Sequence, residues 1–239
     1  MNHRITIPCI AALGLAAAAT ADITDAYVVS YTVVAEDFGG SVVTVNVQDL
    51  YLKSDDAADT VLNVYNLNLA STAQVSYFQS ATGTGWLPSN LGGIFDTPAL
   101  RKADSFVTIG GFAQDTLSPE QVPGAGSGTG LDPDFGGNDV AMPAENGGWF
   151  NSSPPSLNGL VGNVAGLDST AAPDSFGLGV LVGRFTYDGN FDLQGSTLYV
   201  TWNQGLGTPG EQASFTVVPA PGAMALLGLA GLAGRRRRD

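Results

Sequence analysis

The chain has 239 residues, 44% of them hydrophobic and only 13% charged, enough to bury a sizeable core in one large domain or two small ones. Its 32 glycines and 13 prolines argue against a helical protein. Of 9 basic residues, Arg4 and Arg235 to Arg238 sit at the ends. Between them 4 basic residues face 21 acidic ones, a net charge of −17 that makes nucleic acid and anionic lipid poor partners.

Residues 1–21 read as a secretory signal peptide. His3 and Arg4 form a short polar start, Ile5 to Ala19 an apolar run, and Ala19-Thr20-Ala21 fits the small-x-small rule for cleavage before Asp22. The only Cys, Cys9, and the only His, His3, lie inside that segment. A chain beginning at Asp22 therefore has no disulfide, Cys- or His-ligated metal, Ser-His-Asp triad or Cys-His dyad.

Residues 22–217 alternate between short Val-, Thr-, Tyr- and Phe-rich runs and Gly, Asp, Asn and Pro clusters, the pattern of strands and turns. Candidate strands start at Ala26 (AYVVSYTVV), Ser41 (SVVTVNVQDLYLK), Thr60 (TVLNVYNLNLA), Gln74 (QVSYFQS), Ser105 (SFVTIGGF), Gly179 (GVLVGRFTY), Ser196 (STLYVTWNQ) and Ala213 (ASFTVV). Val43, Val45 and Val47 share one parity while Leu50 and Leu52 share the other, which predicts a bulge near Gln48-Asp49. No helix of three turns with an apolar stripe is evident. The expectation is an all-β fold: one antiparallel β-sandwich, jelly-roll-like, with a Gly/Pro-rich insertion at about 118–173 that is either ordered at one end of the sandwich or flexible.

Two acidic clusters suggest calcium, a hard cation that prefers oxygen ligands. Asp132, Asp134 and Asp139 bring three carboxylates onto a Gly-rich turn. Asp188, Asn190 and Asp192 begin like an EF-hand loop, but Leu193 replaces its glycine and Tyr199 its glutamate, so hairpin chemistry explains DGN as well. Trp86 and Trp149 stand among small polar residues, where an exposed indole could stack on sugar rings; equally, each could plug an end of the core, as Trp202 does on its predicted strand. A hydrolase using paired carboxylates is a third reading, although no nucleophile elbow or phosphate loop is present. Enzymatic activity is not the expectation.

The chain ends VPAPGAMALLGLAGLAGRRRRD. Residues 222–234 would rise about 20 Å as a helix, short against a hydrocarbon core of about 30 Å. Arg235, Arg236, Arg237 and Arg238 would stay on the cytoplasmic side, which makes the segment a stop-transfer tether. With Val218, Pro219, Ala220, Pro221 and Gly222 preceding it, this tail (218–239) resembles the PEP-CTERM sorting signal of exported bacterial proteins. Ala220 stands where that family has the Glu of Pro-Glu-Pro. The resemblance implies transient tethering at the inner membrane, processing by an exosortase-like enzyme, and a place at the cell surface among extracellular polysaccharide and biofilm. It covers only the tail. The expected function is an exported cell-surface or matrix protein whose body has a structural or binding role, the alternative being a carbohydrate-binding module.

Overall fold

The computed structural model describes residues 22–36, 40–70, 77, 79, 85–87, 97–109, 112–114, 121–123, 128–153, 158–162, 178–187 and 191–220. The runs rich in β-branched and aromatic residues form strands, as a pleated surface favours: β1 (Ile23–Glu36), β2 (Val42–Ser54), β3 (Thr60–Asn68), β4 (Phe106–Val107), β5 (Phe112–Gln114), β6 (Gln121–Pro123) and β7 (Thr129–Leu131). β8 (Gly147–Asn151), β9 (Gly179–Tyr187), β10 (Thr197–Asn203), β11 (Glu211–Thr216) and β12 (Val218–Pro219) follow. A short helix, α1 (Pro98–Ala103), precedes β4, and a 3-10 turn (Pro133–Phe135) separates β7 from β8.

Two five-stranded, mainly antiparallel sheets result. The first runs β12, β1, β2, β9, β4; the second runs β11, β10, β3, β8, β7; β5 and β6 pair separately. The one parallel pairing among the described strands joins β12 to β1, Tyr27 opposite Val218 and Val28 opposite Pro219. The β1–β2 hairpin reaches from Ile23 opposite Ser54 to Glu36 opposite Val42. Its chain then crosses to the second sheet at a corner where the Ser54 hydroxyl donates to Asp59 Oδ2 (2.7 Å) and accepts from the Asp56 N–H (2.9 Å).

The sheets enclose one large apolar cluster. Val28, Leu50, Leu52, Val180, Val182 and Phe185 of the first meet Val61, Val64, Leu67, Trp149, Leu198, Val200 and Trp202 of the second. Edge-on aromatic contacts run through it: Tyr77 to Phe191 (5.4 Å), Tyr77 to Trp86 (4.9 Å), Trp86 to Phe135 (5.7 Å) and Phe135 to Trp149 (6.3 Å). Such geometry aligns ring edges with ring faces and adds about 0.5–1.5 kcal/mol per pair beyond area burial.

The far side of the first sheet is buried as well. Tyr27 and Tyr51 stack at 5.5 Å beside Phe106, Leu181 and Ala220. Further along, Val33, Ala35, Val45 and Val47 receive Ala99 and Ala103 of α1. This double burial corrects the bulge expected in β2. The strand pairs with β1 without a shift from Lys53 to Val42. Its odd residues simply face one layer and Leu50 and Leu52 the other. The irregularity lies in β9, between the pairs Leu50–Gly183 and Tyr51–Leu181. Gly183 suits that place, since a Cβ there would stand 3.0 Å from the Phe185 ring.

The stretch expected as an insertion supplies β7 and β8 to the second sheet, with Val64 opposite Trp149 and Leu131 opposite Trp149. Its glycines are close-approach residues as well as loop signals. A Cβ on Gly147 would meet Ala144 O and Phe135 Cα at 3.1 Å, and one on Gly148 would overlap the Asp132 carboxylate.

Candidate functional site on the open sheet face

The outer side of the second sheet differs from that of the first. In β10, Leu198, Val200 and Trp202 are buried in the core while Thr197 and Tyr199 are exposed. β11 presents Gln212, Ser214 and Thr216 to solvent. The register builds two rows across this face. One runs Gln212, Thr201, Asn63, Phe150, Gly130; the next runs Ser214, Tyr199, Tyr65.

Aromatic rings anchor both rows. Tyr199 is 41% exposed and tilts against Tyr65 at 5.4 Å, and the Tyr65 hydroxyl hydrogen-bonds Gln212 Oε1 at 3.2 Å. Phe150 is 39% exposed and lies over Gly130, where a Cβ would come within 2.8 Å of its ring. The five strands of this sheet contain no Lys or Arg, and a single acid, Glu211.

A cavity of about 430 Å³ opens at the end of β3, lined by Leu67, Asn68, Leu69 and Met142 to Glu145. That volume falls within the range of small-ligand sites. Asn68 connects it to the rings, because Asn68 pairs with Thr197, two residues from Tyr199. Two non-glycine residues beside it adopt positive φ, Asn66 (51°) and Asn146 (66°), a region that Asn tolerates through local hydrogen bonding. Asn68 Nδ2 donates to Asn66 O (3.0 Å) and Asn146 Oδ1 (3.3 Å), and the Asn146 N–H donates to Leu67 O (3.1 Å).

The residues singled out from sequence fall elsewhere. Trp86 is 0% exposed and Trp149 1%, and each indole N–H is satisfied internally, Trp86 by Val140 O (2.9 Å) and Trp149 by Thr108 O (3.1 Å). Neither indole offers a face to sugar. Both fill the core, the second of the two roles the sequence allowed them; Trp149 takes the inward parity of β8 and Phe150 the outward one. Asp132 caps the 3-10 turn: its Oδ1 accepts from the N–H groups of Phe135 (2.9 Å) and Gly148 (3.0 Å). Asp134 and Asp139 are exposed. Among the described residues no three acidic, His or Cys side chains gather as a metal-ligand group. Asp192 Oδ1 accepts from Gln194 N–H (2.9 Å) and Gln48 Nε2 (3.3 Å), while Asp188 and Asn190 lie outside the described residues.

The start of the segment expected to be a sorting motif is inside the fold. Val218 and Pro219 form β12, and Ala220, 5% exposed, donates its N–H to Val28 O at 3.0 Å. Pro221, Gly222, Arg235, Arg236, Arg237, Arg238 and the apolar segment expected as a helix lie outside the described residues, as do Ala19 and Ala21. Among the described residues no helix is long and apolar enough to cross a membrane.

Tyr65, Tyr199 and Phe150 were not anticipated as a group from sequence. Their signal was present: in TVLNVYNLN and STLYVTWNQ an aromatic residue occupies the same parity as Asn and Thr.

No family model, curated protein or solved structure matches this chain.

Proposed function

We propose that this chain is an exported cell-surface or matrix protein, delivered by its first 21 residues and sorted by a PEP-CTERM-like tail through an exosortase-like enzyme at the inner membrane. The tail's apolar helix is a transient tether. The jelly-roll-like sandwich between the two signals has a structural or binding role, not a catalytic one.

One observation carries this reading. Among the described residues the strands of both sheets run from Ile23, one residue beyond the first described position and two beyond the expected cleavage site, to Pro219, within the first residues of the tail motif, and the last strand pairs with the first. Such a domain keeps its pairing when residues 1–21 and the part of the tail beyond Ala220 are removed. The four-Arg terminus also has a role in this reading.

Mass spectrometry of the protein recovered from the exporting bacterium tests the proposal. The mature product is expected to begin at Asp22 and to lack Arg235 to Arg238. A cytosolic product retaining Met1 and Asp239 would refute export. A surface product retaining the four arginines would reduce the tail to a plain membrane anchor.

A further inference from the structure

We propose that the open face of the second sheet, with the adjoining cavity, is a binding site for an extended neutral polysaccharide. The inference rests on the binding role proposed above and gives that role a ligand class and a place.

Three observations converge. The first is the spacing of the exposed rings. Tyr199 on β10 and Phe150 on β8 are separated by two inter-strand steps, about 10 Å across the sheet, and by two residues, about 7 Å, along it, which makes about 12 Å in all. Both present apolar faces, and pyranose rings carry axial C–H groups that pack against such faces; the separation is comparable to a disaccharide unit. The second is the polar complement. Asn63, Thr201 and Gln212 stand in one row between and beside the rings, Gln212 exposed and the other two half-buried, with the Asn63 Oδ1 enclosed. Asn68 continues this lining into a cavity large enough to hold a branch or chain end.

The third observation is charge. With no Lys or Arg on its five strands and with Glu211 and Glu145 at its margins, this face repels acidic polymers. The basic side chains Lys53 and Arg184 belong to the first sheet. A protein partner would require an apolar centre, whereas Val61, Val64, Leu67, Leu198 and Val200 of β3 and β10 are turned into the core and Leu62 is half-buried. Hydroxyl, amide and aromatic groups on a sheet face whose strands carry no cation and one marginal acid, Glu211, match an uncharged sugar chain.

Native affinity electrophoresis tests this, with the full chain purified in mild detergent and run through gels containing β-glucan, xylan, galactomannan or, as an acidic comparison, polygalacturonate. At least one neutral polysaccharide is expected to retard the protein. Tyr199→Ala and Phe150→Ala should each weaken that retardation about ten-fold. Thermal melts confirm that the variants fold, and a conservative Tyr199→Phe should keep most of the affinity, because the ring face remains. Three outcomes would overturn the proposal: no retardation by any neutral polysaccharide, retardation indifferent to both alanine variants, or equal retardation by polygalacturonate. Migration that changes with protein concentration but not with glycan would assign the face to contacts between copies, also against it. The mass-spectrometric test of export is independent of each of these results.

Discussion

Arg184 is fully buried on the outer side of β9, and its charge is held by a small closed network. Its Nε and one terminal nitrogen grip Asp49 at 2.7 and 3.0 Å, the same nitrogen donates to the Tyr31 hydroxyl at 2.7 Å, and Tyr31 donates to Asp49 Oδ2 at 2.8 Å. Burial opposes the charge on Arg184, but the neighbouring Asp49 carboxylate outweighs it and raises the guanidinium pKa. The Phe106 ring 5.4 Å from the guanidinium adds a cation–π contact. Removing one member should therefore cost more than the pair contributes. Asp49→Ala leaves a buried cation and is expected to lower unfolding free energy by about 3–5 kcal/mol, while Tyr31→Phe should cost about 1–2 kcal/mol. Urea titration of the two variants measures both. At the start of the domain the Asp22 N–H donates to Asp55 Oδ1 at 2.8 Å. Nearby, burial raises the Asp59 pKa, and a hydrogen bond with Asp22 raises that of Glu211. These two carboxyls favour folding when protonated, a contribution lost as pH rises through their raised values. In the exported form proposed above, an α-ammonium at Asp22 would add a positive charge beside these carboxyls. A chain starting at Asp22 should melt higher with a free than with an acetylated N-terminus. The difference should be largest while the amine is protonated, below about pH 8, and fade as it loses its proton.

β12 is short, yet it ties the tail to the domain. Ala220 packs with Tyr27, Val29, Tyr51, Phe106 and Leu181, a pocket with room for a methyl group. In the sorting reading proposed above, this is a physical reason for Ala in place of Glu: a carboxylate there would be buried among aromatic rings. Ala220→Glu is expected to destabilise the domain by about 3 kcal/mol or more at neutral pH, with part of the loss recovered on acidification as the carboxyl is protonated. Chemical denaturation at pH 7 and pH 4 checks the magnitude and sign. The long elements were legible from sequence because alternation and β-branching agree over nine or more residues: β1, β2, β3 and β9 stand where their Val- and Tyr-rich runs predict. β7 and β8 were not, since GGWFN carries too few alternations to register and its glycines serve tight packing against Phe135 and Asp132. The candidate site was missed for a related reason. Trp86 and Trp149 have turn-like neighbours, but burial depends on which strand lies opposite, and sequence alone does not supply that pairing. Tyr199, by contrast, sat in a run whose polar parity already marked it as outward.

At the scale of the whole molecule the two sheets are unequal. The first is covered on both sides and holds the buried ion pair; the second keeps one side in water. The acidic charge is spread over this asymmetric body, with 21 carboxylates against 4 basic residues between the termini. Folding concentrates that charge, so self-repulsion opposes the compact state, and screening should relieve it. The Debye length falls from about 30 Å at 0.01 M salt to about 8 Å at 0.15 M, shorter than most separations across such a domain. The thermal midpoint is therefore expected to rise with NaCl over that interval and then to level off. A continued linear rise at higher salt would instead indicate strengthened apolar burial. Neutral-glycan affinity should stay constant across the same series, because no ion pair contributes to it. Replacing part of the NaCl with CaCl₂ at fixed ionic strength separates screening from a bound ion at Asp132, Asp134 and Asp139. The expected midpoint is unchanged, since Asp132 Oδ1 is already committed to two backbone N–H groups. A calcium-specific increase that disappears in Asp134→Asn and Asp139→Asn would show that the turn rearranges to hold the cation.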